Sequence, residues 1–257
     1  MTDSDLSRRT FLRRSASTVG PVIVTGALPL SSAHAASDAA HLSIVCVGAH
    51  PDDPESGCAG TLARYAALGH SVKIVYLTRG ERGITGKPLD EAARIRSAEV
   101  DAACRIIGAA PLFFGQIDGA TEVTRAHVDA MTKLLSAEKP DVLFAHWPVD
   151  THMDHQVASM LATRAWMSLA TCDLFFYEVN AGSQTQGFLP NTYVDISSVV
   201  EQKKRALFAH ASQDGQGIWR QHHEIMAGWR GREIGVAAAE AFVHHSRAGR
   251  GPTLPGV

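Results

Sequence analysis

Between residues 42 and 209, short apolar runs alternate with longer segments of helical period, and this alternation limits the fold more than any other property of the chain. Residues 42–49 read as a continuous buried strand, 57–68 as a helix, 72–78 as a strand, and 91–107 as a helix stopped by Gly108. Residues 112–114, 141–145, 174–179 and 192–196 continue the strands; 122–137, 154–169 and 198–209 continue the helices. The pattern predicts an α/β, Rossmann-like domain: a mostly parallel sheet with helices on both faces. Sheets of this kind take ligands in the crevice beyond their strand C-termini. Polar residues gather there, in the segments 50–55, 79–82 and 146–155 that follow the first, second and fourth strands.

With 24 Lys+Arg against 26 Asp+Glu, the formal net charge is -2, so no broad basic field exists to hold nucleic acid or an anionic membrane. Residues 1–35 stand apart. Ser7-Arg8-Arg9-Thr10-Phe11-Leu12 is a twin-arginine export pattern, and the apolar stretch after it is interrupted by Gly20, Pro21, Gly26 and Pro29 and is too short to span a bilayer. Ala33-His34-Ala35 then supplies a small-x-small cleavage signal. The expectation is a signal peptide over 1–35 and one domain over 36–257, delivered to the periplasm or beyond by the twin-arginine machinery, with no stable membrane span. Cys46, Cys58, Cys104 and Cys172 form no Cys-x-x-Cys pair, which removes support for a zinc-cysteine or dithiol redox site.

His50-Pro51-Asp52-Asp53-Pro54-Glu55 places an imidazole and two adjacent carboxylates in a proline-bracketed turn. Neighbouring turn residues point in different directions, so one carboxylate can join His50 on a metal while the other stays free to move protons. Metal-assisted hydrolysis requires that division of labour. The segment 146–155 adds His146, His152 and His155 with Asp150 and Asp154, a density rarely structural. His210, His222, His223, His244 and His245 have no such company and read as surface or packing residues. Trp147, Trp219 and Trp229 read as packing residues before sugar-stacking ones.

His50-Pro51-Asp52-Asp53 followed by Glu55 and Gly57, with His152-x-Asp154-His155 about a hundred residues on, resembles the PIG-L/LmbE-like N-acetylglucosaminyl deacetylases. Thr78-Arg79-Gly80-Glu81, Arg96-x-x-Glu99, Asp118-Gly119 and Lys204 to Ser212-Gln213 fall in the same order, so the resemblance covers nearly all of 36–257. It implies one Zn²⁺ on His50, Asp53 and His155, with Asp52 as general base. It also implies His152 beside the reacting carbon, Asp154 orienting His152, and Arg96, Asp118 and Arg79 on a small amino-sugar substrate. Two departures matter: Pro54 stands between the Asp pair and Glu55, and Asp150 stands where some relatives carry an aromatic residue.

The implied reaction is removal of the N-acetyl group from an N-acetylglucosamine-type sugar or conjugate, releasing acetate. Two alternatives keep the site: hydrolysis of an ester or other acyl group on a sugar, and a non-catalytic periplasmic sugar binder. A nucleotide-binding role is set aside, because the first turn has carboxylates where a pyrophosphate needs glycines.

Overall fold

Strands form where the chain is apolar at nearly every position, as burial on both faces demands. In the computed structural model, which describes residues 41–169, 172–245 and Gly256, the first is β1 (Ser43–Gly48). Ile44 and Cys46 point to one face and Val45 and Val47 to the other, and all four are fully buried. The elements then run α1 (Asp53–Ala67), β2 (Ser71–Tyr76), α2 (Leu89–Ile107), β3 (Ala110–Phe113), α3 (Arg125–Glu138), β4 (Val142–His146), α4 (Met153–Trp166) and β5 (Asp173–Tyr177). After them come β6 (Thr192–Asp195), α5 (Val200–Phe208), α6 (Gly215–Ile218), α7 (Glu224–Ile234) and β7 (Ala239–His245). The segment 1–35, with its export pattern, lies outside the described residues. Among the described residues no helix is long and apolar enough to cross a membrane.

The sheet order is β3-β2-β1-β4-β5-β7-β6. The first five strands are parallel, and β7 runs antiparallel between β5 and β6. Chain direction across the sheet reverses between β1 and β4, the topological switch point where a crevice opens. Helices α1, α2 and α5 cover one face through Leu62, Tyr65, Val100, Ile107 and Leu207. Helices α3 and α4 cover the other through Met131, Leu135, Leu161 and Trp166. All four cysteines are buried and free.

The structure differs from expectation at α1, at α3 and over the C-terminal elements, in ways that shape the site. Helix α1 begins at Asp53 rather than residue 57, since Pro54 fits the first turn, where no amide partner is needed. Helix α3 begins at Arg125 rather than 122, because the Thr124 side chain accepts the His127 N–H (3.1 Å) and caps it there. The C-terminal elements α6, α7 and β7, which no periodic signal announces, complete the sheet and one wall of the crevice.

Candidate active site

The turn from β1 into α1 sets the arrangement. Asp52 caps α1 with φ 99° and ψ -26°, a left-handed conformation that is costly for a side chain bearing a Cβ. Its neighbours hold it there: the Asp52 N–H donates to Glu55 Oε2 (3.2 Å), and the Ser56 N–H donates to the Asp52 carbonyl (2.8 Å). Arg96 from α2 donates to the Pro51 carbonyl and lies 3.3 Å from Asp52 Oδ2. Glu55 is itself fixed by the Tyr76 hydroxyl (2.6 Å), and His210 Nε2 lies 3.4 Å from the same oxygen. Pro54 fits because Gly48 faces it; a Cβ at Gly48 would stand 2.5 Å from the proline ring. As a result Asp52 and Asp53 point apart, Asp53 inward to a group of histidines.

His50 Nδ1 lies 3.1 Å from Asp53 Oδ2, and His155 Nε2 lies 3.3 Å from Asp53 Oδ1. The far nitrogens of both rings meet carboxylates. His50 Nε2 is 3.1 Å from Asp154 and 3.3 Å from Asp118, and His155 Nδ1 is 3.1 Å from Asp150. Histidines that bind metals are commonly held this way, one nitrogen on the ion and the other on an acceptor. Among the described residues, three overlapping groups have ligand atoms close enough to share an ion: His50, His152 and His155; Asp53, His146 and His155; and His50, Asp118 and Asp154. His50 and Asp53 thus fall in different groups, bridged by His155 and by their own contact. His146 is less apt as a ligand, since its Nε2 already accepts the Ala49 N–H (3.0 Å).

The electrostatics show what the site lacks. Burial pulls the His50 imidazole down, yet Asp53, Asp118 and Asp154 outweigh it and hold its pKa well above the ordinary value. His155 is opposed by burial too, but Asp53 and Asp150 lift it to about 9. Burial pushes Asp53 up, and the positive rings of His155 and His50 drag it well below the usual carboxylate range. Buried carboxylates here take any positive charge available, and a divalent cation suits them.

His152 caps α4, and its Nδ1 accepts the Asp154 N–H (3.2 Å). An accepting Nδ1 puts the ring proton of the neutral form on Nε2. Burial, with His50 and His155 nearby, lowers the His152 pKa and favours that neutral donor. The resemblance implies that Asp154 orients His152, and the contact between them is made by the main chain, the Asp154 N–H on His152 Nδ1. The Asp154 carboxylate turns the other way, to His50, the Gly119 N–H (2.7 Å) and the Thr121 hydroxyl (2.6 Å), and only its main chain touches His152.

A cavity of about 370 Å³ opens above these groups, lined by His50, Asp52, Asp53, His152 and His155 together with Arg96 and Asp118. Arg79 does not join them; it is exposed and its guanidinium sits 5.0 Å from the Phe113 ring centre. Several lining residues carry no readable signal in the sequence. Asn180 and Gln184 come from the loop after β5, and Ile218, His222 and His223 from the C-terminal helices. Residues 219–223 form a π-helical turn, whose wider spacing presents two consecutive histidines to one cavity. His210, read from the sequence as a surface or packing residue, is fully buried beside Glu55. Gln213 reaches the cavity because Glu99 anchors Ser212 through its N–H and its hydroxyl, both at 2.7 Å.

A family model described as PIG-L, GlcNAc-PI de-N-acetylase, matches residues 45–166, the stretch from β1 through α4 that carries both motifs. The chain is 29% identical over 193 residues to a diacetylchitobiose deacetylase of Thermococcus kodakarensis, covering 68% of this chain and 72% of that one. It is 26% identical over 229 residues to a 4-oxalmesaconate hydratase of Pseudomonas putida, covering 79% and 86%. Among solved structures, a conserved protein of Thermus thermophilus superposes with a TM-score of 0.70 at 34% identity, over 82% of this chain and 98% of that one. Motifs, sheet order and matches agree: the chain belongs to the PIG-L family.

Proposed function

We propose that the protein is a zinc-dependent N-deacetylase that hydrolyses the acetamide of an N-acetylglucosamine-type sugar or conjugate. One observation carries the reading. The cavity floor holds a buried donor set, His50, Asp53 and His155, beside a separate carboxylate, Asp52, and a neutral imidazole donor, His152. The family is metal-dependent. Two imidazole nitrogens and a carboxylate suit zinc, and His50, Asp53 and His155 would hold it.

Bound there, zinc supplies an acidified water and a polarised carbonyl. Asp52 takes the proton of the attacking water. Burial raises its pKa, Arg96 opposes that, and Asp53 adds to it; the net rise makes Asp52 a better proton acceptor than a surface carboxylate. The Nε2–H of His152 donates to the oxygen on which charge develops. Asp154 and Asp118 hold the His50 ring, and Asp118, Asn180 and Gln184 offer neutral or acceptor groups suited to sugar hydroxyls. Collapse to acetate and amine returns a proton to nitrogen from Asp52. Asp52→Asn keeps the shape and removes the base. Zinc should remain bound while kcat falls by about 10² or more, and unchanged turnover would remove Asp52 from the mechanism.

The hydratase relative favours a second reading, water addition to an anionic acid. The cavity opposes it. Arg96 is the one arginine or lysine among its described lining residues and is committed to Pro51 and Asp52, whereas Asp52, Asp53 and Asp118 repel an anion. Acetate released from N-acetyl but not O-acetyl sugars separates the amide reading from an esterase. We also propose export through the twin-arginine route, supported by the pattern at 7–12 and tested by cell fractionation.

A further inference from the structure

The loop after β5 builds one wall of the cavity through Val179, Asn180 and Gln184, and it is pinned from behind by Thr185, which is 2% exposed. The Thr185 hydroxyl oxygen accepts the Val179 N–H and donates to Asp150 Oδ2, both at 3.1 Å. Around this pair the Thr151 N–H donates to the Gln184 carbonyl (3.0 Å) and the Gln186 N–H to the Val149 carbonyl (2.9 Å). Asp150, also buried, uses its other oxygen to accept the His152 N–H (2.8 Å), and that same oxygen lies 3.1 Å from His155 Nδ1. One hydroxyl thus joins the cavity wall to the carboxylate behind His155. The β5 loop supplies no metal donor among the described residues.

We propose that Asp150 and Thr185 are positioning residues that set the metal-facing imidazole and the substrate wall together. Asp150 fixes the His155 ring with Nε2 toward Asp53, and Thr185 fixes Asp150 while holding the segment that carries Asn180 and Gln184. The inference rests on His155 being a metal ligand. Acceptors behind a ligating histidine orient the ring and raise its basicity, and their loss commonly weakens metal binding by about 10–100-fold. Thr185→Val is nearly isosteric and deletes only the hydroxyl, leaving Asp150 Oδ2 and the Val179 N–H each without that partner.

The test strips the full chain of metal and measures Zn²⁺ affinity by competition with a chromophoric chelator, alongside kcat and KM on diacetylchitobiose. D150A should weaken zinc binding by about 10-fold or more, and D150N, which keeps an acceptor oxygen, by less. T185V should weaken zinc binding several-fold and raise KM several-fold, and T185S should restore both. A role confined to loop packing would lower the melting temperature and leave zinc affinity where it was. Wild-type zinc affinity in folded T185V and D150N, checked by circular dichroism, overturns the proposal even where D150A fails to fold. A wild-type protein that binds no zinc overturns instead the ligand reading beneath it.

Discussion

Replacing His223 with glutamine should remove an acid sensitivity built into the C-terminal wall. His223 is 3% exposed, and burial, reinforced by the charge of Lys203 and by His222, holds its imidazole at about 3 against an ordinary 6.5. Its folded pKa is depressed, so the unfolded chain takes up a proton as pH falls through 6.5 while the folded chain refuses it until about 3. Stability from this residue is therefore complete above pH 6.5 and is lost progressively between 6.5 and 3. At 1.36 kcal/mol per unit, the loss between pH 7 and pH 5 comes to about 2 kcal/mol, and it reaches about 4 kcal/mol near pH 3. The assay is urea unfolding of wild type and H223Q at both pH values with chelator present. The stability advantage of wild type over H223Q should shrink by about 2 kcal/mol at pH 5; parallel pH dependence in the two proteins would refute the reasoning.

Lys203→Met strands a buried charge. Lys203 Nζ bonds Glu240 (2.6 Å) and the Ser56 carbonyl (2.7 Å), and Glu240 also accepts the Gly60 and Thr61 amides, which cannot neutralise it. The variant should lose about 3–5 kcal/mol in urea unfolding, partly recovered in K203M/E240Q; a loss below about 1 kcal/mol would mean solvent screens the pair. Gly57→Ala would drive a Cβ into the Tyr177 ring and place it 2.9 Å from the Glu178 carbonyl, forcing α1 off β5. It should cost about 1–3 kcal/mol and, by shifting Asp52 and Asp53, about 10-fold or more in kcat/KM; a variant matching wild type in both would show that the helix has room.

The sheet core is legible in the sequence because parallel strands buried on both faces leave unbroken apolar runs, and the crevice because the His50 and His152 motifs follow the two strands that flank the switch point. The chain beyond residue 209 is not. The π-helical turn at 219–223 breaks the 3.6-residue period, and β7 opens on small residues around Glu240 and closes on two adjacent histidines, so His222, His223 and this strand give no recognisable pattern. Side-chain direction is equally hidden. Asp154 sits two residues from His152 yet turns to His50, Asp150 backs His155 rather than the oxyanion side, and Arg79 follows β2 at the crevice edge yet lies over Phe113 outside the cavity. Such orientations depend on contacts from α2, the 117–121 loop and the β5 loop, all distant in sequence.

Metal content of the purified protein, read together with acetate release from N-acetylglucosamine and its short oligomers, tests the central claim most directly. One zinc per chain, with acetate release abolished by chelator and restored by Zn²⁺, is the predicted result. Protein that binds no zinc, or acetate release that persists unchanged after the metal has been removed, would contradict it.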